Sequence, residues 1–128
     1  MRLKSLAVVA FALSAAPAFA DGDAVAGRTV FKKCQPCHEA ARDASKVGPS
    51  LLGVMDRTAG TLMSFAGKFS PAMVEAGAKG LAWDDANMAA YMKAPREFIP
   101  GNRMAFAGLK KDEDIADLIA YLRADPKP

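Results

Sequence analysis

The sequence predicts one all-α domain in which short helices are joined by long loops. Apolar residues recur at helical spacing in several segments, and each segment starts at a residue type that favours helix starts. Strand signals are weak throughout the chain. Residues 40–60 are predicted to form a long loop and 61–68 to be irregular. Together they are longer than an ordinary connection in a compact domain, which is typical of loops that have a function.

We expect four helices, over about 23–33, 70–76, 84–94 and 111–123. Asp21 or Asp23 caps the first helix and Asp84 the third, because a carboxylate accepts hydrogen bonds from the free N–H groups of a first turn. Pro71 begins the second helix, where its missing N–H costs nothing, and two glycines follow the expected end. Residues 100–108 are expected to form a loop, and the last four residues a frayed tail.

Residues 1–20 predict a secretory signal peptide. A short basic start precedes an apolar run over 6–13 that is too short to span a bilayer, and a small-x-small site ends at Ala20. We expect cleavage after Ala20, export to a bacterial periplasm and a mature domain over 21–128. An uncleaved membrane anchor is the alternative.

The charge of the mature chain gives no support for a nucleic-acid partner. The full sequence has 17 basic and 14 acidic residues and a formal charge of +3. Arg2 and Lys4 belong to the expected signal peptide, so 15 basic residues remain against 14 acidic ones and the mature charge is +1. No further apolar run predicts membrane insertion. We expect a soluble monomer.

Cys34, Cys37 and His38 form the most informative motif of the chain. They are spaced Cys-x-x-Cys-His and are the only cysteines and the only histidine in the sequence. This spacing is the attachment signature of c-type haem, in which two thiols bond the vinyl groups and the adjacent imidazole ligates the iron. A thiol–disulfide motif would follow a strand, and a zinc site would need more ligands. The motif therefore predicts one covalently attached haem c, with iron cycling between Fe2+ and Fe3+.

An iron atom held by His38 needs a sixth ligand or an open position. No second histidine exists, so the candidate ligands are methionines. Met88 and Met92 fit the core stripe of a helix, and three other methionines of the mature chain have no distinctive surroundings. Met104 follows a Pro-Gly pair in a loop that can hold an extended backbone. We favour Met104 as the axial ligand, with ordinary packing as the alternative.

Several further motifs lie before and after the haem motif, in a fixed order along the chain. They are Phe31 to Lys33, Lys46 to Pro49, Leu51, Arg57, Trp83, Tyr91, Pro100-Gly101, Met104, Phe106 to Lys111 and Asp117 to Leu122. With these motifs the chain resembles the class I cytochromes c, including the mitochondrial carriers and their bacterial periplasmic relatives, over nearly all of residues 23–124. The resemblance implies an all-α class I cytochrome c fold whose helices and long loops wrap one covalent haem.

The resemblance also implies roles for the residues around the two axial ligands. The Pro49 carbonyl would accept the hydrogen bond from the free ring nitrogen of His38 and fix its tautomer. Tyr91 would lie near the Met104 sulfur. These contacts would adjust how strongly both residues ligate the iron.

The resemblance also implies that three residues surround the rest of the haem. Trp83 would donate a hydrogen bond to a propionate, Arg57 would lie near the same group, and Phe106 would cover the haem edge. Plain core packing is the alternative for Trp83, as it is for Tyr91. Phe69 stands where the family often has a tyrosine on the propionate side.

Gly27 lies inside the first predicted helix, where glycine costs about 1 kcal/mol relative to alanine. The resemblance implies that Gly27 and Phe31 meet Tyr121 and Leu122 where the first and last helices cross. Tolerance of a glycine near a helix start is the alternative.

The leading hypothesis is a soluble periplasmic electron carrier, not an enzyme, that shuttles one electron between respiratory or photosynthetic redox partners. Seven basic residues fall in segments expected to flank the haem edge, namely Lys32, Lys33, Lys46, Lys93, Arg103, Lys110 and Lys111. They would dock membrane cytochrome complexes, oxidases, reductases or a reaction centre in transient, salt-sensitive encounters. Ordinary solvated lysines are the alternative, and acidic residues within 112–117 are expected in part on the rear.

Two other functions stay open at this point. A haem enzyme or gas sensor would need an open or displaceable position on the iron, against which Met104 argues. An electron-transfer subunit fixed in a larger complex would show an extensive exposed apolar patch.

Overall fold

The computed structural model describes residues 21–128, and the predicted signal peptide lies outside the described residues. In the described part, the α-helices are α1 (Ala24–Phe31), α2 (Pro71–Ala78), α3 (Asp85–Lys93), α4 (Pro95–Phe98) and α5 (Asp112–Arg123), with a 3₁₀ turn at Met63–Phe65. The β pairing found among these residues is one isolated bridge between Thr58 and Ala82. The all-α prediction is therefore confirmed. None of the helices described is long and apolar enough to cross a membrane.

Side-chain caps begin three of the helices as the sequence predicted. Asp23, rather than Asp21, accepts a hydrogen bond from the Val25 N–H at 2.8 Å. Asp84 accepts from the Asn87 N–H at 2.8 Å. The Ser70 hydroxyl accepts from a backbone N–H of the first turn of α2 at 3.1 Å. Each cap satisfies a donor that would otherwise have no partner within its helix.

Gly77 lies inside α2, although the sequence predicted that it would follow the end of that helix. A Cβ atom at this position would lie 1.8 Å from the Ala59 carbonyl oxygen. The glycine is therefore a point of close approach between α2 and the long loop 40–60, and the helix continues to Ala78.

The sequence did not predict α4, and it predicted wrongly that the C-terminal tail would fray. Four residues are too few to show a helical period, which is why α4 was missed. The Lys127 ammonium donates hydrogen bonds to the carbonyl oxygens of Leu122 and Ala124, at 2.9 and 2.7 Å. The tail is held because these carbonyls at the end of α5 lack partners within the helix.

The crossing of α1 and α5 organises the core and confirms the role predicted for Gly27. A Cβ atom on Gly27 would lie 1.9 Å from the Asp117 carbonyl oxygen and 2.8 Å from the Tyr121 Cβ. The Phe31 and Tyr121 rings pack with their centroids 5.2 Å apart. The crossing fixes the end of α1, and the Cys34 N–H then donates to the Phe31 carbonyl at 2.8 Å. The haem motif therefore starts from a rigid point.

We expect Gly27→Ala to destabilise the fold by about 1–3 kcal/mol, because the added methyl group has no space between the two helix backbones. Urea denaturation followed by circular dichroism would measure the change in the free energy of unfolding. Thr29→Ala is the control on the exposed side of the same helix and should change stability by only a few tenths of a kcal/mol. Equal stability of Gly27→Ala and the wild type would contradict the tight crossing.

Candidate haem-binding site

An apolar cavity of about 480 Å³ lies between the helices and the long loops. Leu118 and Leu122 of α5 and Met88 and Met92 of α3 contribute to its lining. This volume lies within the range of cofactor and ligand sites in proteins. The nine residues that the sequence analysis assigned to the site all line this cavity, and they are Cys34, Cys37, His38, Pro49, Arg57, Trp83, Tyr91, Met104 and Phe106.

The two cysteines lie on a tight turn that continues from α1. The N–H groups of Cys37 and His38 both donate to the Cys34 carbonyl, at 3.1 and 2.9 Å. Cys34 is half-buried and Cys37 is exposed. Burial, followed by the proximity of Cys37, raises the pKa of the Cys34 thiol to about 11. A thiol–disulfide site needs a low thiol pKa, so this environment argues against that alternative.

His38 is held as a neutral imidazole with one free nitrogen. Its Nδ1 lies 2.8 Å from the Pro49 carbonyl oxygen. A carbonyl oxygen can only accept, so Nδ1 carries the proton and the lone pair on Nε2 is free. Burial lowers the pKa of His38, which keeps the ring neutral near pH 7. A metal ion binds this neutral form, and the contact with Pro49 is the one that the resemblance implied.

Gly48 positions the same ring and was not singled out in the sequence analysis. A Cβ atom at this position would lie 2.3 Å from the His38 Cε1. The Gly48 N–H also donates to the Cys37 carbonyl at 2.8 Å. The backbone at Gly48 therefore lies directly against the imidazole. The sequence signal was a glycine just before the proline whose carbonyl binds the ring.

Met104 presents its thioether to the cavity from the loop before α5. The Tyr91 hydroxyl donates to the Met104 sulfur at 3.9 Å. Burial raises the pKa of Tyr91 to about 12, so its hydroxyl stays protonated near neutral pH and keeps its capacity to donate. The structure thus brings together the two residues that the resemblance placed side by side.

Trp83 and Arg57 supply polar groups to an otherwise apolar cavity. The Trp83 ring packs on Tyr91 with centroids 4.8 Å apart, and Trp83 lines the cavity. The Arg57 guanidinium donates to the carbonyls of Ser50 and Leu52, at 3.1 and 2.6 Å. Burial lowers the pKa of Arg57, but an arginine stays charged at any physiological pH.

The residues present fit a covalently attached haem. Two thiols lie beside a neutral imidazole whose Nε2 is free, and a thioether lines the same cavity. The remaining lining combines apolar side chains with an indole donor and a guanidinium, which suits a flat apolar ring that carries two carboxylates. Phe69 and Met73 also line the cavity and add apolar surface.

The seven basic residues expected near the haem edge are all exposed. Lys33 and Arg103 line the cavity, and so does Lys68, which the sequence analysis did not include. Lys93 forms an ion pair with Asp112. Asp112 is the first residue of α5, and the placement of other acidic residues of 112–117 on the rear stays a prediction.

A small helical domain with one Cys-x-x-Cys-His motif at an apolar cavity defines the class of single-haem c-type proteins. The family model for cytochrome c matches residues 24–124. Cytochrome c2 from Rhodospirillum rubrum is 44% identical over 126 residues, which cover 91% of this chain and 90% of that protein. Cytochrome c2 from Agrobacterium tumefaciens is 42% identical over 111 residues, which cover 84% of this chain and 98% of that protein.

The solved structures agree with the sequence comparisons. Cytochrome c2 from Rhodospirillum centenum superposes with a TM-score of 0.75 at 35% identity, over 84% of this chain and 100% of that chain. The chain belongs to the cytochrome c family. It binds one covalent haem c and is an electron carrier rather than an enzyme.

We expect Gly48→Ala to displace the His38 ring and weaken its hydrogen bond to Pro49. A weaker hydrogen bond makes the imidazole less basic, and a less basic imidazole stabilises ferric iron less. The reduction potential should therefore rise by about 20–60 mV. Potentiometric titration and NMR of the His38 ring protons would measure both effects.

Gly53→Ala is the matched control for that substitution. Gly53 has a φ of +66° and open space around its Cβ position, so alanine there costs about 1–2 kcal/mol of stability but leaves the potential unchanged. A wild-type potential in Gly48→Ala would mean that the glycine does not position the ring.

Proposed function

We propose that this protein is a periplasmic one-electron shuttle whose haem iron is ligated by His38 and Met104. One observation carries the proposal: both side chains line a single apolar cavity, one with a free Nε2 and the other with a sulfur that Tyr91 contacts. Each ligand is uncharged: His38 donates a hydrogen bond to the Pro49 carbonyl, and the Met104 sulfur accepts one from Tyr91. Two protein ligands leave the iron no free position for a substrate.

The bound haem supplies an iron atom that alternates between the ferric and ferrous states. The hydrogen bond between His38 and Pro49 holds the imidazole in one tautomer through both states. A neutral nitrogen and a thioether favour ferrous iron and so raise the potential. The apolar side chains of Leu118 and Leu122 keep water away from part of the cavity, which disfavours the extra ferric charge.

The remaining site residues have supporting roles in this proposal. Cys34 and Cys37 attach the haem covalently. Trp83 and Arg57 bind a propionate, because an indole donor and a cation line the cavity. Phe106 covers the edge of the haem, and it also lines a small surface cavity beside α4.

Export to the periplasm rests on the predicted signal peptide, with cleavage after Ala20 and a mature domain over 21–128. Electron transfer then takes place with membrane cytochrome complexes, oxidases, reductases or a reaction centre. Exposed cations at the cavity lining, Lys33, Lys68 and Arg103, favour brief docking on acidic partners. The shuttle works as a monomer because each partner must reach the same haem edge in turn.

We expect Met104→Leu to abolish the weak far-red absorption band that the family resemblance leads us to expect from ferric iron–thioether ligation. The reduced variant should bind carbon monoxide, because leucine cannot ligate iron and a position opens. Optical spectra of the oxidised and reduced holoprotein would show both changes.

Met88→Leu is the matched control, since Met88 is buried and lines the same cavity. This variant should keep the far-red band and cost less than about 1.5 kcal/mol of stability. Loss of the band in Met88→Leu, or its survival in Met104→Leu, would assign the ligand to another residue.

We expect Lys33→Gln to lower the second-order rate of reaction with membranes from the source organism by about 2–3-fold at low salt, because a rim charge steers the encounter. The difference should disappear at high ionic strength, where such charges are screened. Stopped-flow measurements would test this. Lys79→Gln is the control, since Lys79 pairs with Glu75 and does not line the cavity; equal losses in both variants would contradict docking at this edge.

A further inference from the structure

One side chain takes part in three hydrogen bonds that hold the segment carrying Met104. The Asn102 Nδ2 donates to the Pro95 carbonyl at 2.9 Å and to the Ile99 carbonyl at 2.8 Å. The Asn102 Oδ1 accepts from the Met104 N–H at 2.9 Å. One partly buried amide therefore ties the backbone of Met104 to the carbonyls at the two ends of α4.

The amide of Asn102 is fully used as a donor by these contacts. An asparagine side chain has two N–H hydrogens, and both are directed to carbonyl oxygens of the chain. Asn102 lines the cavity, but it has no hydrogen left to donate to a bound group. Its contacts therefore act on the loop backbone, and through it on Met104.

Asn102 anchors the loop on the N-terminal side of Met104. On the C-terminal side the loop is fixed where the Leu109 N–H donates to the Met92 carbonyl at 2.8 Å. Between these anchors Ala105 is exposed. Arg103 makes only long contacts of 3.4 Å to two carbonyls of the loop before α2. Apart from a local bond from the Phe106 N–H to the Met104 carbonyl at 3.0 Å, the backbone of Met104 is held by the anchor two residues before it.

We propose that Asn102 is a positioning residue for Met104, and that its side chain sets how strongly the thioether resists replacement by another ligand of the iron. The inference rests on the proposed ligation by Met104. Without the three bonds the loop gains conformations in which the sulfur is away from the iron, so the ligand-free arrangement becomes more populated. A competing ligand that binds this arrangement then binds more tightly, because its binding no longer has to overcome the three hydrogen bonds of Asn102.

The test is a titration of the ferric full-length holoprotein with imidazole, followed by loss of the iron–thioether band. Asn102→Ala removes all three bonds and should lower the apparent Kd for imidazole at least about tenfold. The serine side chain of Asn102→Ser keeps an acceptor for the Met104 N–H but is too short to reach the Pro95 carbonyl. The imidazole Kd of this variant should therefore lie between that of Asn102→Ala and that of the wild type.

Asn87→Ala is the matched control. Asn87 also donates from its side-chain amide to a backbone carbonyl, that of Ala82 at 2.9 Å, but it has no hydrogen bond to the Met104 loop. Its removal should leave the imidazole Kd unchanged. In urea, the band and the circular dichroism should disappear together in Asn87→Ala, whereas Asn102→Ala should lose the band at lower urea than the helical signal.

The outcomes separate this inference from the proposed function. If the wild-type protein lacks the iron–thioether band, ligation by Met104 fails and the inference fails with it. If the band is present but Asn102→Ala keeps the wild-type Kd and coincident urea transitions, ligation stands and the positioning role of Asn102 is overturned. A lowered Kd with separated transitions, absent in Asn87→Ala, supports it.

Discussion

The hydrogen bond from the His38 Nδ1 to the Pro49 carbonyl is the interaction on which the site depends. It determines the tautomer of the ring, because a carbonyl oxygen accepts only from the protonated nitrogen. It also joins the end of the haem motif to the long loop 40–60. The same contact therefore orients the ligand and holds this loop beside the cavity. Gly48 makes this contact possible, since any side chain there would collide with the imidazole.

The two candidate ligands are supported by different parts of the fold. His38 follows α1, whose end is fixed by the close crossing with α5 at Gly27. Met104 lies in a loop, and its support comes from side chains, with Tyr91 contacting the sulfur and Asn102 the backbone. A ligand on a loop depends on such specific contacts because few helix hydrogen bonds restrain its backbone. The methionine side is therefore where ligand exchange begins in this proposal.

Much of the fold was predictable because helix starts and apolar periods are local signals. Neighbouring residues in the sequence directly indicated the caps Asp23 and Asp84 and the helical spacing of apolar residues in α5. Helix α4 was not predictable because four residues are too few to show a period. The ion pair of Lys93 with Asp112 was missed because it joins residues that become neighbours only when α3 and α5 pack.

The sequence by itself determined the class of cofactor, since the order and spacing of Cys34, Cys37 and His38 are properties of five consecutive residues. It also marked Met104 as the candidate second ligand by elimination. Only the tertiary structure decided which groups surround those atoms: the Gly48 backbone against the imidazole and the Asn102 amide behind the methionine. The physical reason is distance along the chain. Spacing within one turn is fixed by covalent geometry, whereas contacts between loops exist only after the helices have packed around a shared cavity.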